Sequence, residues 1–317
     1  MTDDLAKQLA IRPVGDDEYV SEHLPIRMGN TAAIAYGGTS VGIALNAAGR
    51  SVPDTHKLYS ALGHFLGPAT LDQHMHCKVF RIRDTKSFAT RRIEVSQEQK
   101  GKHRVVLHVV ADFHVIEGGM FDYSAGPVGR YSGFETSPTF TSSAEALLSG
   151  GKITQIDMET TANMFAANTR FFENRVPPES VTAQNFSGVA KGVKTSQDHL
   201  DLTAKTSGDW YRLKSPSPES NDQLACLGFL MDGGLSFLPL AHQNLSLNDV
   251  GACSSLDFAL RVHQPHIDLR DWHLRERSTS AGGHGGSFSE GRLWDRHGRL
   301  IASASQQSIL RGRLESL

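Results

Sequence analysis

The feature that most constrains the fold of this chain is an internal repeat. The hexapeptide at residues 87–92 returns 200 positions later at residues 287–292, as Ser-Phe-Ala-Thr-Arg-Arg and then Ser-Phe-Ser-Glu-Gly-Arg. A glycine pair also stands 31 or 32 positions before a proline in each half, at Gly37-Gly38 and again at Gly233-Gly234. Self-similarity of this kind predicts two units of the same topology within the 317 residues.

Each unit is predicted to carry a buried helix followed by antiparallel strands. Small and apolar residues recur at helical spacing ahead of the strands, at Val41, Ala44, Leu45 and Ala48 and again at Leu224, Leu227, Gly228 and Met231. Residues 78–83 and 91–95 alternate apolar and polar, and β-rich runs at 105–115 and 300–310 close the units. Because the helices have little polar surface, we expect a sheet to wrap around each of them. The fold class is therefore α+β.

Residues 117–150 are rich in Gly, Ser, Thr and Pro with weak periodicity, which is typical of a connection. We predict an N-terminal domain at 1–120, a linker at 121–150 and a C-terminal domain at 151–317. A strand at 210–213 opens the second sheet, and a turn at 215–218 leads to its helix.

Charge and hydropathy exclude several classes of protein. The chain has 32 Lys and Arg and 34 Asp and Glu, a net charge of −2. It therefore has no excess of positive charge with which to bind a nucleic acid or an anionic membrane. The apolar runs are shorter than the roughly 20 residues of a membrane helix, so no membrane span is predicted. A small molecule or a second copy of the chain is the expected partner.

Cysteine usage and the termini bear on the compartment. The three cysteines, Cys77, Cys226 and Cys253, have no C-x-x-C spacing, which favours a reducing compartment over a disulfide framework. The acidic start of the chain does not look like a signal peptide, so we expect a cytoplasmic protein. The final Glu315-Ser316-Leu317 departs from the S-K-L peroxisomal signal, and a peroxisomal location stays open as the alternative.

Three short motifs have competing interpretations. Residues 38–42, Gly-Thr-Ser-Val-Gly, match the G-x-S-x-G of serine hydrolases, but the antiparallel pattern downstream favours a tight turn and close helix packing. The glycine-rich stretch 282–286 falls between two strands, which indicates a hairpin. His74 and His76 beside Cys77, and the pair His263 and His266, have no third ligand nearby, so no metal site is predicted.

Three polar residues of the second half have ordinary explanations by composition alone. Asp232 precedes a glycine, as in a turn; Ser255 opens a strand; and Gln306 belongs to the last strand, where it could be exposed. Their spacing does not by itself predict a site.

Five motifs in order extend this interpretation. The segments at 37–45, 65–68, 87–92, 255–257 and 302–306 resemble motifs of the acyl-CoA thioesterase II family, such as Gly-Gly-x-x-x-Gly-x-Ala-Leu and Phe-Leu-x-Pro. The resemblance covers nearly the whole chain. It implies a double hot-dog fold, in which each of two antiparallel sheets wraps around a long central helix.

The resemblance also implies a mechanism. The family's Asp, Thr or Ser, and Gln hold an attacking water, and they correspond here to Asp232, Ser255 and Gln306. Burial is expected to raise the pKa of Asp232 toward a useful range, so that this carboxylate accepts a proton from water. Helix N-terminal amides near Gly38, Thr39 and Ser40 are candidates for contact with the substrate or the oxyanion.

In this interpretation the partner is an acyl-CoA, neither a cofactor nor a metal is needed, and the chain forms a homodimer or higher homo-oligomer. The family has Gln at the positions of Thr39 and His114, so the first half is not expected to form a complete site. One site per chain is therefore expected, in the C-terminal domain at 151–317. Three alternatives remain: a protein that binds an acyl thioester without cleaving it, a thioesterase of a specialised biosynthetic pathway, and a serine hydrolase that uses Ser40.

Overall fold

The computed structural model describes residues 2–30, 32–216 and 219–313. The C-terminal tripeptide 315–317 lies outside the described residues, as does the second half of the turn predicted at 215–218.

Within these ranges the strands are β1 (Ile11–Gly15), β2 (Glu18–Ser21), β3 (His56–Phe65), β4 (His76–Asp84), β5 (Phe88–Gln99), β6 (Lys102–Val115), β7 (Phe172–Arg175), β8 (Thr206–Leu213), β9 (Val250–Ser255), β10 (Asp257–Val262), β11 (His273–Gly283), β12 (Gly286–Asp295) and β13 (Leu300–Gly312). The α-helices are α1 (Leu5–Gln8), α2 (Gly37–Arg50), α3 (Phe140–Ser149), α4 (Gln155–Met164), α5 (Ala166–Phe171), α6 (Val181–Gln184), α7 (Ser220–Met231) and α8 (Leu238–His242). Short 3₁₀ turns occur at Leu202–Ala204 and Leu247–Asp249.

The strands form one antiparallel sheet with an internal symmetry. Its order is β1-β2-β4-β5-β6-β3-β10-β13-β12-β11-β8-β7, and β9 pairs with β13 outside this path. The order on one side of the β3–β10 seam mirrors the order on the other side. At the seam, His64 pairs with Asp257 and Ser60 with Arg261. The predicted repeat of two antiparallel units is therefore confirmed, with the units joined edge to edge.

The two central helices are buried between the sheet halves, as predicted. Every residue of α2 from Gly38 to Gly49 is buried, and so is most of α7. The helices cross at glycines: a Cβ on Gly42 would lie 2.8 Å from the carbonyl oxygen of Ala225, and one on Gly228 would lie 2.8 Å from Leu45. Small residues on both helices thus permit this close approach.

The structure corrects one part of the sequence repeat. The hexapeptides lie on equivalent strands, β5 and β12, but the two glycine pairs are not equivalent. Gly37-Gly38 begins α2, whereas Gly233-Gly234 follows the end of α7. Gly234 has a φ of +84°, the left-handed conformation that commonly ends helices. The similar intervals reflect two different uses of glycine.

Two connections can be compared with the predictions. The stretch 282–286 forms the β11–β12 hairpin, with φ of +53° at His284 and +78° at Gly285, as expected of a two-residue turn that matches strand twist. The predicted linker 121–150 contains α3, which begins after Thr139, whose side chain accepts a hydrogen bond from the Ser142 amide. The domain boundaries remain a prediction. No helix of the described ranges is long and apolar enough to cross a membrane.

Candidate active site

Three side chains from distant parts of the second half meet at the end of α7. Asp232 immediately follows the helix, Ser255 ends β9, and Gln306 lies in the middle of β13. Gln306 Nε2 donates a hydrogen bond to Asp232 Oδ1 at 2.5 Å, and Ser255 Oγ donates one to Gln306 Oε1 at 3.0 Å. The structure therefore brings together the three residues selected from the sequence.

The hydrogen bonds fix the polarity of this chain of groups. Gln306 is 1% exposed, so its amide has to find partners inside the protein. An ionised carboxylate can only accept, which directs the amide N–H to Asp232 and the amide oxygen to Ser255. The hydroxyl of Ser255 uses its proton on Gln306, and its oxygen retains lone pairs that can accept a proton from water.

The Asp232 carboxylate also faces the start of α2. Burial raises its pKa from 3.8 to about 6, against the opposing effect of hydrogen bonds from Gln306 and the Gly38 amide and of the nearby Tyr36 hydroxyl. The Tyr36 hydroxyl donates its single proton to the Phe229 carbonyl at 2.8 Å and has the smallest effect of the three on the pKa of Asp232. A carboxylate with this pKa is ionised at neutral pH and still basic enough to accept a proton.

The glycine pair explains how the helix reaches the carboxylate. A Cβ on Gly37 would lie 3.0 Å from Asp232 Oδ2, and one on Gly38 would lie 2.8 Å from the Phe229 carbonyl. Larger residues would therefore push the N-terminus of α2 away from Asp232. The positive end of the helix dipole would then be lost to the site.

A cavity of about 480 Å³ opens onto these groups. Asp232 and Ser255 line it, together with Gly37 and Ser40 of α2. The rest of its wall is mostly apolar and includes Phe65, Leu66, Pro68, Ala69, Val106, Phe237, Leu256 and Ile309. A cavity of this size with an apolar wall and few polar groups is typical of a small-molecule site.

The three predicted oxyanion candidates have different positions. The Gly38 amide is engaged by Asp232, as described above. Ser40 lines the cavity, and its hydroxyl donates to the sulfur of Met75 at 3.7 Å. Thr39 is buried, and its hydroxyl has no hydrogen-bond partner within the described part of the chain. Of these three residues, Ser40 alone lines the cavity.

The geometry around Ser40 does not provide a serine nucleophile. Residues 38–42 lie entirely within α2, whereas a nucleophile elbow is a sharp turn between a strand and a helix. In the described ranges no histidine hydrogen-bonds to Ser40. Two of the histidines considered as metal ligands have other partners: His74 Nδ1 donates to the Ser21 carbonyl at 2.8 Å, and His263 lies 3.1 Å from the Ser303 hydroxyl.

The described residues of the first half do not form an equivalent set of groups. Strand register pairs Ser289 with Gln306 in the second half and Ala89 with Phe113 in the first half. Phe113 therefore occupies the position that corresponds to Gln306, and the expectation that His114 does so is wrong by one residue. A one-residue slip along a strand moves a side chain to the other face of the sheet.

Sequence reasoning missed a buried arginine that holds the turn carrying Asp232. Arg275 Nη1 donates to the carbonyls of Leu230 at 2.7 Å and Gly233 at 3.1 Å, which flank Asp232 on both sides. Its Nε and Nη2 bind both oxygens of Asp209, at 3.1 and 3.2 Å. Tyr36 was also missed, although it directly precedes the glycine pair. No local pattern around Arg275 points to the helix end it contacts.

Comparison with known proteins identifies the family of both halves of the chain. The sequence matches the acyl-CoA thioesterase N-terminal domain over residues 24–114 and the acyl-CoA thioesterase C-terminal domain over residues 163–310. It is 24% identical over 281 residues to acyl-CoA thioesterase 2 of Haemophilus influenzae, which covers 87% of each chain.

Solved structures share the fold. A TesB protein of Mycobacterium avium subspecies paratuberculosis superposes with a TM-score of 0.68 at 18% identity, over 96% of this chain and 97% of the other. An acyl-CoA thioesterase II of Mycobacterium marinum gives 0.69 at 18% identity, over 98% and 99%. With both domains matched in order and the double hot-dog fold present, the chain belongs to the acyl-CoA thioesterase family of thioester hydrolases.

Proposed function

We propose that this chain hydrolyses acyl-CoA to a free carboxylic acid and CoA, with a water activated by Asp232. The observation that carries the proposal is the hydrogen-bonded chain from Ser255 through Gln306 to Asp232 at the wall of the apolar cavity. The apolar part of the cavity suits an acyl chain, and the polar end suits the thioester that has to meet water.

In the proposed reaction, a water donates one hydrogen bond to Asp232 and the other to the Ser255 oxygen. As the water oxygen attacks the thioester carbonyl carbon, Asp232 accepts its proton. Gln306 orients the carboxylate and keeps the Ser255 proton turned away from the water. The tetrahedral intermediate then collapses, the C–S bond breaks, and the proton on Asp232 is available to the departing thiolate.

The negative charge that develops on the carbonyl oxygen needs stabilisation. The first turn of α2 borders the cavity through Gly37 and Ser40, and the positive end of its dipole lies on that side. We assign the oxyanion contact to this turn. We propose that Ser40 contributes to this contact through its backbone, since its hydroxyl is directed to the sulfur of Met75.

The experiment is free-thiol release from a panel of acyl-CoAs, with wild type beside Asp232→Asn and Ser40→Ala. We expect Asp232→Asn to lose about 10²- to 10⁴-fold in kcat, the usual contribution of a general base. Ser40→Ala keeps its backbone amide and should remain active. Loss of activity in Ser40→Ala alone would instead support the serine hydrolase.

Two finer points of the assignment are also proposals. Tight binding of an acyl thioester without thiol release would identify a binding protein, and release from specialised thioesters alone would place the chain in a biosynthetic pathway. A homodimer or higher homo-oligomer is proposed as the working assembly, and light scattering on the purified chain would measure its mass.

A further inference from the structure

A second, smaller cavity of about 80 Å³ adjoins the catalytic cavity. The two cavities share the wall residues Met28, Gly29, Tyr36, Gly234 and Phe237. Three buried charged residues line the smaller cavity: Asp209 of β8 and the pair Arg275 and Arg277 of β11. Charged side chains that are this deeply buried are normally paired with groups of opposite charge. A surplus of one sign therefore indicates that a charged partner can bind there.

The charges do not balance. Asp209 is the single carboxylate that forms an ion pair with the two arginines within the described part of the chain, and all three side chains are at most 7% exposed. Arg275 uses its donors on Asp209, Tyr211 and the end of α7. Arg277 donates from Nη2 to Asp209 at 2.7 Å, and its buried Nε has no partner among the described residues.

Lys205 adds a positive charge beside His242, and the neighbouring carboxylate of Glu276 is engaged elsewhere. The carboxylate of Glu276 accepts hydrogen bonds from the backbone amides of Val128 and Gly129, and strand alternation places it on the opposite face of β11. Lys205 donates to the His242 carbonyl at 2.9 Å. Burial, with Arg277 and Lys205, lowers the pKa of His242 to about 3, so this imidazole is neutral. Burial also lowers the pKa of Arg277 itself.

A buried guanidinium with unused donors fits a carboxylate, which accepts two parallel N–H bonds. The cavity is large enough for a carboxylate with a few methylenes and far too small for the nucleotide part of CoA. The ligand that enters from the catalytic cavity is then the acyl group. Arg277 also lies close to the reacting centre, because a Cβ on Gly234 would overlap its Nη1 and Gly234 follows Asp232 by two residues.

We propose that Arg277 binds a carboxylate at the far end of the acyl group, so that the preferred substrates are CoA thioesters of short dicarboxylic acids. This inference rests on the proposed hydrolase function. Gly234, which lies against Arg277, follows Asp232 by two residues, and two residues of extended chain span at most about 7 Å. This separation between the reacting centre and Arg277 suits an acyl chain of about four to six carbons.

The test compares glutaryl-CoA with pentanoyl-CoA, which have acyl chains of equal length and differ in the terminal carboxylate. Wild type should favour glutaryl-CoA by about tenfold or more in kcat/KM. Arg277→Gln should lower kcat/KM for glutaryl-CoA by about 10- to 100-fold and leave pentanoyl-CoA within about twofold, since a charge-assisted hydrogen bond is removed. The kcat/KM of Arg277→Lys for glutaryl-CoA should fall between the values of wild type and Arg277→Gln. The control Arg292→Gln, at an exposed position of β12, should match wild type on both substrates.

Equal rates on the two substrates in wild type would overturn the assignment, and so would an equal loss on both in Arg277→Gln, which marks a structural role. If neither thioester is hydrolysed, the proposed function fails, and thermal unfolding with free glutarate decides the carboxylate site separately. A rise in Tm for wild type and none for Arg277→Gln would support the site. No rise, or an equal rise with inorganic sulfate, would overturn it.

Discussion

Replacement of Asp232 by Asn should slow hydrolysis by about 10²- to 10⁴-fold and at the same time make the protein more stable at neutral pH. The cause is the burial of the carboxylate, which raises its pKa from 3.8 to about 6. A raised pKa in an acid means that the folded state favours the protonated form. Keeping Asp232 ionised at pH 7 therefore destabilises the fold, and a neutral residue removes that penalty.

The pH dependence follows from the same values. Below pH 3.8 the carboxyl is protonated in both states and contributes nothing. Between 3.8 and about 6 the unfolded state ionises first, and the penalty grows until it is complete above about pH 6. A shift of about 2 pKa units corresponds to about 3 kcal/mol in the free energy of unfolding.

The variant should keep its hydrogen bonds. An Asn at 232 can turn its oxygen toward the Gly38 amide and its NH₂ toward Gln306. The Gln306 amide then flips, so that its oxygen accepts from Asn and its NH₂ donates to the Ser255 oxygen. Because each partner is still satisfied, the gain from removing the charge is not offset by a buried unpaired group.

Urea unfolding of wild type and Asp232→Asn at pH 8 and at pH 4 measures the effect. The free energy of unfolding of the variant should exceed that of wild type by up to about 3 kcal/mol at pH 8, and the difference should nearly vanish at pH 4. For a chain of this size, about 3 kcal/mol corresponds to a rise in Tm of about 4 °C. Groups other than Asp232 cancel in the comparison. A variant that is no more stable, or a difference that is the same at both pH values, would refute burial as the cause of the raised pKa.

Three further predictions concern the same site and its support. The kcat/KM of wild type should fall tenfold per pH unit below about 6 and be constant above it, because Asp232 must be ionised to accept a proton; a profile flat to pH 4.5 would contradict this. Gln306→Ala should lower kcat by about 10- to 100-fold through loss of orientation, whereas Gln307→Ala, on the exposed face of the same strand, should match wild type in thiol release. Gly42→Ala should destabilise by about 1–3 kcal/mol in urea unfolding because its Cβ meets a backbone carbonyl at 2.8 Å, while Gly126→Ala, with open space around it, should have no effect.

The fold was predictable because its signals are periodic and local. Helical spacing around Val41 and Leu227, strand alternation and the repeated hexapeptide give both buried helices and the antiparallel sheet. The association of Asp232, Ser255 and Gln306 came from the family resemblance, since these residues are far apart in sequence. Their geometry is now known, and their catalytic roles remain predictions.

The misses have physical reasons. Assigning His114 rather than Phe113 to the position of Gln306 is an error of one residue. Because side chains alternate along a strand, an error of one residue places the side chain on the wrong face of the sheet. The pairing of Arg275 with the end of α7 depends on how β11 packs under the helix. Nothing in a linear sequence reports such a contact between residues 45 positions apart.

The two halves solve one structural problem in different ways, and the difference creates the site. Each central helix ends with carbonyl groups that need donors, and in each half a buried arginine from the sheet supplies them. In the first half, Arg91 of β5 binds the side chain and carbonyl of Ser51. In the second half, the equivalent strand position is Gly291, and Arg275 of the next strand holds the helix end.

This exchange leaves room for the charged cluster of Asp209, Arg275 and Arg277 beside the catalytic cavity. A Cβ on Gly291 would already contact Arg277 at 3.5 Å, so an arginine there would displace the charged cluster beside the catalytic cavity. Phe113 likewise occupies, in the first half, the strand position from which Gln306 reaches Asp232 in the second half. Because the donor to the helix end has moved to β11, the residue that follows α7, Asp232, can present its carboxylate to the catalytic cavity, whereas the residue that follows α2 is Ser51, whose hydroxyl and carbonyl are bound by Arg91.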